Sequence, residues 1–317
     1  MSGQWVAGCV RARALARRRL GSDGARRIAS SGSLHEALTQ LAHSPYGHDV
    51  RPGLSLTEAQ HMVARTLLWN LRVLAGWLPG PGTALLRTLA GWFEIANTDE
   101  LLHAHSGGAE GPMFELGALA TAWPRLRTAG SPAELRAALA ASPWQDPCGQ
   151  DPLTIRLGMR ASWAARVAAL PGPASSWAAA AAALLLASEK FASGRELPDS
   201  GRAQVSALLG SAAVRAATLD EMARGLPHSA RWVLPPGTDP VDLWRAESRW
   251  WAQVEREGSA LLACYQFSAE PALGVAAVLA VDARRLRAAL EMAARGGHPL
   301  DTYAAVAEDA VTDDAPT

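Results

Sequence analysis

Lysine is almost missing from this chain. Lys190 is the only one, and every other basic side chain among the 30 Lys and Arg residues is arginine. Codon usage rich in Ala, Arg, Gly and Pro accounts for that bias more simply than a functional exclusion of lysine. Cysteine is scarce too. Cys9, Cys148 and Cys264 are odd in number and far apart, which excludes a disulfide framework and a zinc knuckle and predicts buried free thiols in a reducing compartment. Net charge is zero, with 30 acidic residues against 30 basic ones. A dedicated nucleic-acid binder, which needs a clustered basic field to release counterions, is therefore not expected. Long apolar runs are also lacking: the longest, 177–187 and 272–281, fall short of the roughly 18 residues that a spanning helix requires. The N-terminal stretch has no apolar core of signal-peptide length and runs into Arg11, Arg13, Arg17, Arg18 and Arg19. Together these absences predict a cytoplasmic chain that meets a membrane only through a partner.

Catalytic signatures are equally thin. There is no Gly-x-Ser-x-Gly nucleophile elbow, no phosphate-binding loop ending in Gly-Lys-Ser/Thr, and no aspartate-rich magnesium motif. His103 and His105 lie near Asp99 and Glu100, but positions i and i+2 of a helix point to different faces and cannot share one metal ion. They read instead as the polar end of a helix that breaks at Gly107-Gly108. His43, His48 and His61 read as solvated surface. No catalytic, cofactor-binding or metal-ligating residue is assigned, and no cofactor is expected.

What is present is helical periodicity. Leu67, Leu71, Leu74 and Leu78 recur at three- and four-residue spacing, as an amphipathic helix requires. Proline and glycine punctuate such stretches, and the class is all-α. The chain also repeats itself. Gly32-Ser33-Leu34-His35-Glu36, Leu41-Ala42 and Ser44-Pro45-Tyr46 match Gly130-Ser131-Pro132-Ala133-Glu134, Leu139-Ala140 and Ser142-Pro143-Trp144 without a gap, each 98 residues later. A weaker third copy reads Thr218-Leu219-Asp220-Glu221, then Leu226 and Trp232. Each predicts one short helix capped by Ser33, Ser131 or Thr218, with Glu36, Glu134 or Glu221 completing a capping box three residues on. The Ser-Pro step ends the first two, because a residue before proline avoids the helical region.

A helical hairpin is predicted after each short helix. In the first, a helix through Trp69–Val73 meets Pro79-Gly80-Pro81-Gly82, and a second runs from about Thr83 to His105. In the second, Arg166-Val167 leads into Pro171-Gly172-Pro173, and a helix resumes near Ser176. In the third, arms at about Val241–Cys264 and Pro271–Ala294 are joined through Ser268-Ala269-Glu270-Pro271. The predicted boundaries are 1–108, 109–200 and 201–305 for three repeats, with 306–317 as a disordered polar tail. Trp244 and Trp251 share a helical stripe and are expected in a core, while Trp123, Trp144 and Trp232 fall near helix ends, where an indole N–H can reach a partner. The N-terminal arginines, with Arg13 and Arg17 on one face, read as a solvated helix face open to acidic surfaces or anionic headgroups.

The segment Ser33–His105 resembles the first repeat of the C (or d) subunit family of V/A-type rotary ATPases: a short Ser-Leu-x-Glu-Ala-Leu helix, a Pro-Tyr-Gly turn, and a hairpin whose second arm carries an acid, an asparagine three residues later, and leucines. Glu94, Asn97, Leu101 and Leu102 fill those places. The stretch from Glu270-Pro271 to Ala294 is similar to the family's C-terminal part, with Asp282 at the acidic position and Arg285, Leu286 and Arg287 after it, so that arginine replaces the usual asparagine. In the middle repeat Glu189 stands at the acidic position, without the Asn or Arg. The resemblance implies a three-lobed helical funnel without an active site. Its role would be a central-stalk part coupling the central shaft to the membrane proteolipid ring, so that the two turn together during ATP-driven ion transport or ATP synthesis. Its partners would be the proteolipid ring and shaft subunits, and its place the inner face of the cell membrane. A helical scaffold or adaptor of the same fold outside any ATPase is the alternative. A helical enzyme would need converging polar residues in a cavity.

Overall fold

The computed structural model describes residues 3–297. Among them there is no β-strand, and the fold is all-α. The α-helices in chain order are α1 (Gly3–Ala16), α2 (Gly21–Ala29), α3 (Leu34–Ala42), α4 (Leu56–Ala75), α5 (Gly80–His105), α6 (Trp123–Leu126), α7 (Pro132–Ala140), α8 (Pro152–Ala168), α9 (Ala174–Ala187), α10 (Asp199–Leu209), α11 (Ser211–Arg215), α12 (Leu219–Gly225), α13 (His228–Arg231), α14 (Leu243–Ala263) and α15 (Glu270–Ala294). None of these is long and apolar enough to cross a membrane. The chain packs as two compact units, the first drawing on residues up to Leu86 and from Trp251 onward, the second on Arg87–Trp250. The predicted tail at 306–317 and the end of the third repeat lie outside the described residues.

In the first unit α15 is the central element. It is buried at most positions from Pro271 to Ala293, on every side along the apolar run 271–281 and on one face beyond it, and α1, α2, α3 and α4 pack on it. The core joins Ile28, Leu38, Leu41 and Val63 to Leu286 and Leu290. Where α14 meets α15, a Cβ on Gly274 would strike the Gly258 carbonyl and one on Gly258 the Ala277 side chain. Glycine inside a helix costs about 1 kcal/mol relative to alanine, and here that cost is offset by the close approach of the two arms.

The second unit is built on α8, α9 and α10, with α13 on α9. The alanines of α9 (Ala178, Ala179, Ala180, Ala182 and Ala183) are buried beside Leu157, Leu186, Val205 and Met222. Small side chains let these backbones pack closely. At its C-terminus α9 widens into one π-helical turn, Ser188–Ala192.

The short capped helices form where the sequence places them, at α3, α7 and α12, and with one local geometry. Ser33, Ser131 and Thr218 have extended backbones and accept from the N–H of Glu36, Glu134 and Glu221. Each glutamate reaches back not to the cap residue but to the amide before it: Gly32 at 2.9 Å, Gly130 at 2.8 Å and Ala217 at 2.9 Å. The stop signals also match. Ser44 Oγ donates to the Leu41 carbonyl and accepts from the Tyr46 amide, and Ser142 does the same with Leu139 and Trp144. Ser33→Ala, Ser131→Ala and Thr218→Ala should each lower stability by about 1 kcal/mol. Denaturant midpoints of the three variants measure this, and similar shifts are expected because the bonding is the same.

Several expectations need correction. Cys9 is buried, but Cys264 is half-buried and Cys148 is exposed, the last in a loop where its backbone has φ of 63°. His43 and His48 are exposed, whereas His61 is half-buried on α4, and its pKa is lowered by burial and then by Arg65. Trp244 is exposed beneath Arg245 rather than in a core, because the inward positions at that end of α14 are Ala246 and Ser248. α5 begins at Gly80, since Pro81 is tolerated in a first helical turn, where its missing N–H has no partner to lose.

Candidate functional site

The acidic positions singled out by the resemblance are the most deeply buried charged groups of the described residues. Glu94 is 0% exposed, Asp282 1% and Glu189 7%. A buried carboxylate is costly unless hydrogen bonds satisfy its oxygens, and the chain supplies them in a patterned way.

In the second unit, Glu94 on α5 accepts from the Thr121 amide at 2.8 Å, the Ala122 amide at 2.8 Å and the Trp144 indole Nε1–H at 2.6 Å. Ala122 is the N-cap of α6 and has no capping side chain, so Glu94 serves as that cap from a different helix. The Arg166 guanidinium lies 4.8 Å from the Trp144 ring centre and donates to Thr121 Oγ1 at 3.2 Å. Burial pulls its pKa down, and the nearby Glu94 charge opposes that shift. Three residues after Glu94, Asn97 pairs in both directions with the Phe114 backbone, donating at 2.8 Å and accepting at 2.6 Å.

In the first unit, Asp282 on α15 repeats the arrangement. It accepts from the Leu20 amide at 3.1 Å, the Gly21 amide at 2.7 Å and the Tyr46 hydroxyl at 2.8 Å. Leu20, the N-cap of α2, likewise has no capping side chain. Tyr46 and Trp144 are the aromatic residues that end the two matching Ser-Pro-aromatic steps. Each cluster thus joins an acid on a long helix, an uncapped helix start and the aromatic after a short capped helix. Arg285, standing where the resemblance expects asparagine, pairs with Glu255 of α14 through two bonds of 2.6 Å.

The third acid departs from the pattern. Glu189 lies in the π-helical turn and is closed by Arg195, 2.8 Å away. Trp232, the aromatic of the third copy, donates to Ser176 and the Ser229 carbonyl instead. Lys190 donates to the Val214 carbonyl at 3.1 Å.

Chemically, the carboxylates of Glu94 and Asp282 are consumed by the chain's own donors, whereas a general acid or base has to reach its substrate. His103 is exposed and His105 half-buried at the end of α5, where Gly107 turns the chain with φ of 85°. Among the described residues no group of three His, Cys, Asp or Glu side chains is placed to hold a metal ion. What sequence reasoning missed are the partners: Leu20, Gly21, Thr121, Ala122 and Arg166. The available signal was the aromatic residue at the 98-residue offset, paired with an acid on a long helix.

Tyr46 makes the arrangement testable by pH. Burial, the Asp282 charge and the hydrogen bond to it raise the Tyr46 pKa well above 10. The unfolded chain loses this proton near pH 10 and the folded chain only higher, so the contribution is fully present below about pH 10 and declines as pH rises beyond it. Stability of the unaltered chain should fall more steeply between pH 9 and 11 than that of Tyr46→Phe, as urea midpoints would record.

The fold and these clusters define an all-α protein braced by buried carboxylates. No protein-family model matches the chain, and no curated protein matches it.

Proposed function

We propose that this chain is a non-catalytic central-stalk subunit of a V/A-type rotary ATPase. It would be built of three pseudo-repeats of a short capped helix plus a hairpin in a funnel-like body, and would couple the central shaft to the membrane proteolipid ring. The observation that carries this reading is the recurrence of the acid–aromatic–helix-start cluster at Glu94 with Trp144 and at Asp282 with Tyr46. These acids are the positions at which the sequence resembles that subunit family. A part that transmits torque needs stiff helices more than reactive groups, and buried, fully bonded carboxylates fix the relative placement of elements far apart in sequence. The exposed large apolar residues, including Trp77 and Phe267 at hairpin turns, offer contact area for partner subunits.

An affinity-tagged chain purified from native membranes should bring down the nucleotide-binding subunits and the proteolipid. Recovery of the chain from the cytosol, free of both, would favour a scaffold or adaptor of the same fold outside any ATPase.

A further inference from the structure

The first unit carries a depression of about 470 Å³ between the end of α1, the start of α2 and the last turn of α14, where Arg13, Arg17, Arg19, Gly21, Ser259 and Leu262 lie. None of the residues lining it is acidic. Arg13 is held by the carbonyls of Leu262, at 3.1 Å, and of Cys264, at the C-terminal end of α14, and no acidic side chain among the described residues pairs with it. Among the described residues neither Arg17 nor Arg19 has an acidic partner. Asp282 lies close by, but its oxygens are taken by Leu20, Gly21 and Tyr46. The depression thus gathers three guanidinium groups in one concave place with no carboxylate paired to any of them, a field that favours an anionic occupant.

The same chain supplies one. Residues 298–317 contain Asp301, Glu308, Asp309, Asp313 and Asp314 and no Lys or Arg. They follow Gly297, which lies against the backbone carbonyls of Ser30 and Ser31 just beyond the C-terminus of α2. The depression is at the other end of α2, whose nine residues rise about 13 Å. The segment's reach of about 3.3 Å per residue brings Glu308-Asp309 and Asp313-Asp314 well within range.

We infer that the acidic segment 298–317 docks in this arginine-lined depression, placing paired carboxylates against Arg17 and Arg19 and shielding the α1–α2 junction. Charge complementarity and the point at which the segment leaves α15 select this occupant over a free anion. The docking does not depend on membership of a rotary motor. It sets a condition on any outside acidic partner of this face: the partner must displace the chain's own carboxylates first.

Hydrogen–deuterium exchange of the intact chain, read on peptides covering residues 13–22, tests the inference. Neutralising the segment with E308Q/D309N/D313N/D314N should speed exchange there by about threefold or more, the scale of a local opening equilibrium. About 1 M salt, where the screening length is about 3 Å, should do the same to the unaltered chain. R17E/R19E should match the neutralised variant, and combining it with E308K/D309K/D313K/D314K should restore slow exchange, which a merely destabilised protein would not do. Unchanged exchange on neutralisation overturns the inference. So does exchange that responds only to added phosphatidylglycerol vesicles or inorganic phosphate and not to the segment's charge, which would assign the depression to a lipid surface or a free anion.

Discussion

Glu94→Ala should destabilise the second unit by about 3–5 kcal/mol, the scale observed when one partner is removed from a buried, charge-assisted network. The truncation strands three donors at once: the Thr121 and Ala122 amides and the Trp144 indole N–H. It also leaves Arg166, already half-desolvated beside Trp144, without the nearest opposing charge. Graded variants separate the contributions. Glu94→Gln keeps one acceptor oxygen but turns an amide NH₂ toward donors, and should fall between the unaltered chain and Glu94→Ala. Trp144→Phe keeps most of the packing and removes one hydrogen bond, a loss of about 1–2 kcal/mol. Chemical denaturation of all three, followed by tryptophan fluorescence where Trp144 is retained and by circular dichroism throughout, checks the order. Equal stability of Glu94→Ala and the unaltered chain would mean that the cluster is incidental.

Asp282→Ala should cost the first unit a similar amount, about 3–5 kcal/mol, for the same reason at a different address. Here the orphaned groups are the Leu20 and Gly21 amides and the Tyr46 hydroxyl. α2 is a nine-residue helix whose own N-cap is a leucine with no capping side chain. Without Asp282 the Leu20 and Gly21 amides lose their acceptor, and the only negative charge left in the first turn is the exposed Asp23, itself paired with Arg26. Amide exchange in α2 should therefore rise ahead of global unfolding, whereas Glu94→Ala should leave α2 protected. Tyr46→Phe, lacking only the hydroxyl, should cost about 1 kcal/mol. If Asp282→Ala loosened α7 rather than α2, the description of the cluster would be wrong.

Much of the fold was legible because local rules coincide with tertiary structure in this chain. The capped helices at Ser33, Ser131 and Thr218 needed only a cap residue and a glutamate three positions on, a signal that acts within one turn. The hairpin arms announced themselves by periodicity and by their proline-glycine turns, to within a few residues. The N-terminal arginines marked a solvated helix face, but not that α1 buries Cys9, Ala12 and Leu15 on its other side, since charge on one face does not say what the opposite face packs against. α9 carries so much alanine that it shows no polar face from which to judge its neighbours.

The site was legible by half. Glu94, Asp282 and Glu189 stood out through a resemblance, but a sequence does not say where a buried acid finds its donors. Leu20 and Ala122 are poor caps, and that weakness was the clue: a helix start without Ser, Thr, Asp or Asn must take its acceptor from elsewhere. Trp244 misled because a seven-residue spacing to Trp251 suits a core stripe, yet small residues at Ala246 and Ser248 took the inward positions.

Ion translocation measured in native membranes, with and without this chain, bears most directly on the proposed role. If the chain joins shaft to ring, its deletion abolishes ATP-driven ion transport while ATP hydrolysis by the head persists, and restoring the chain recouples the two. Undiminished transport in membranes that lack the chain would contradict that role outright.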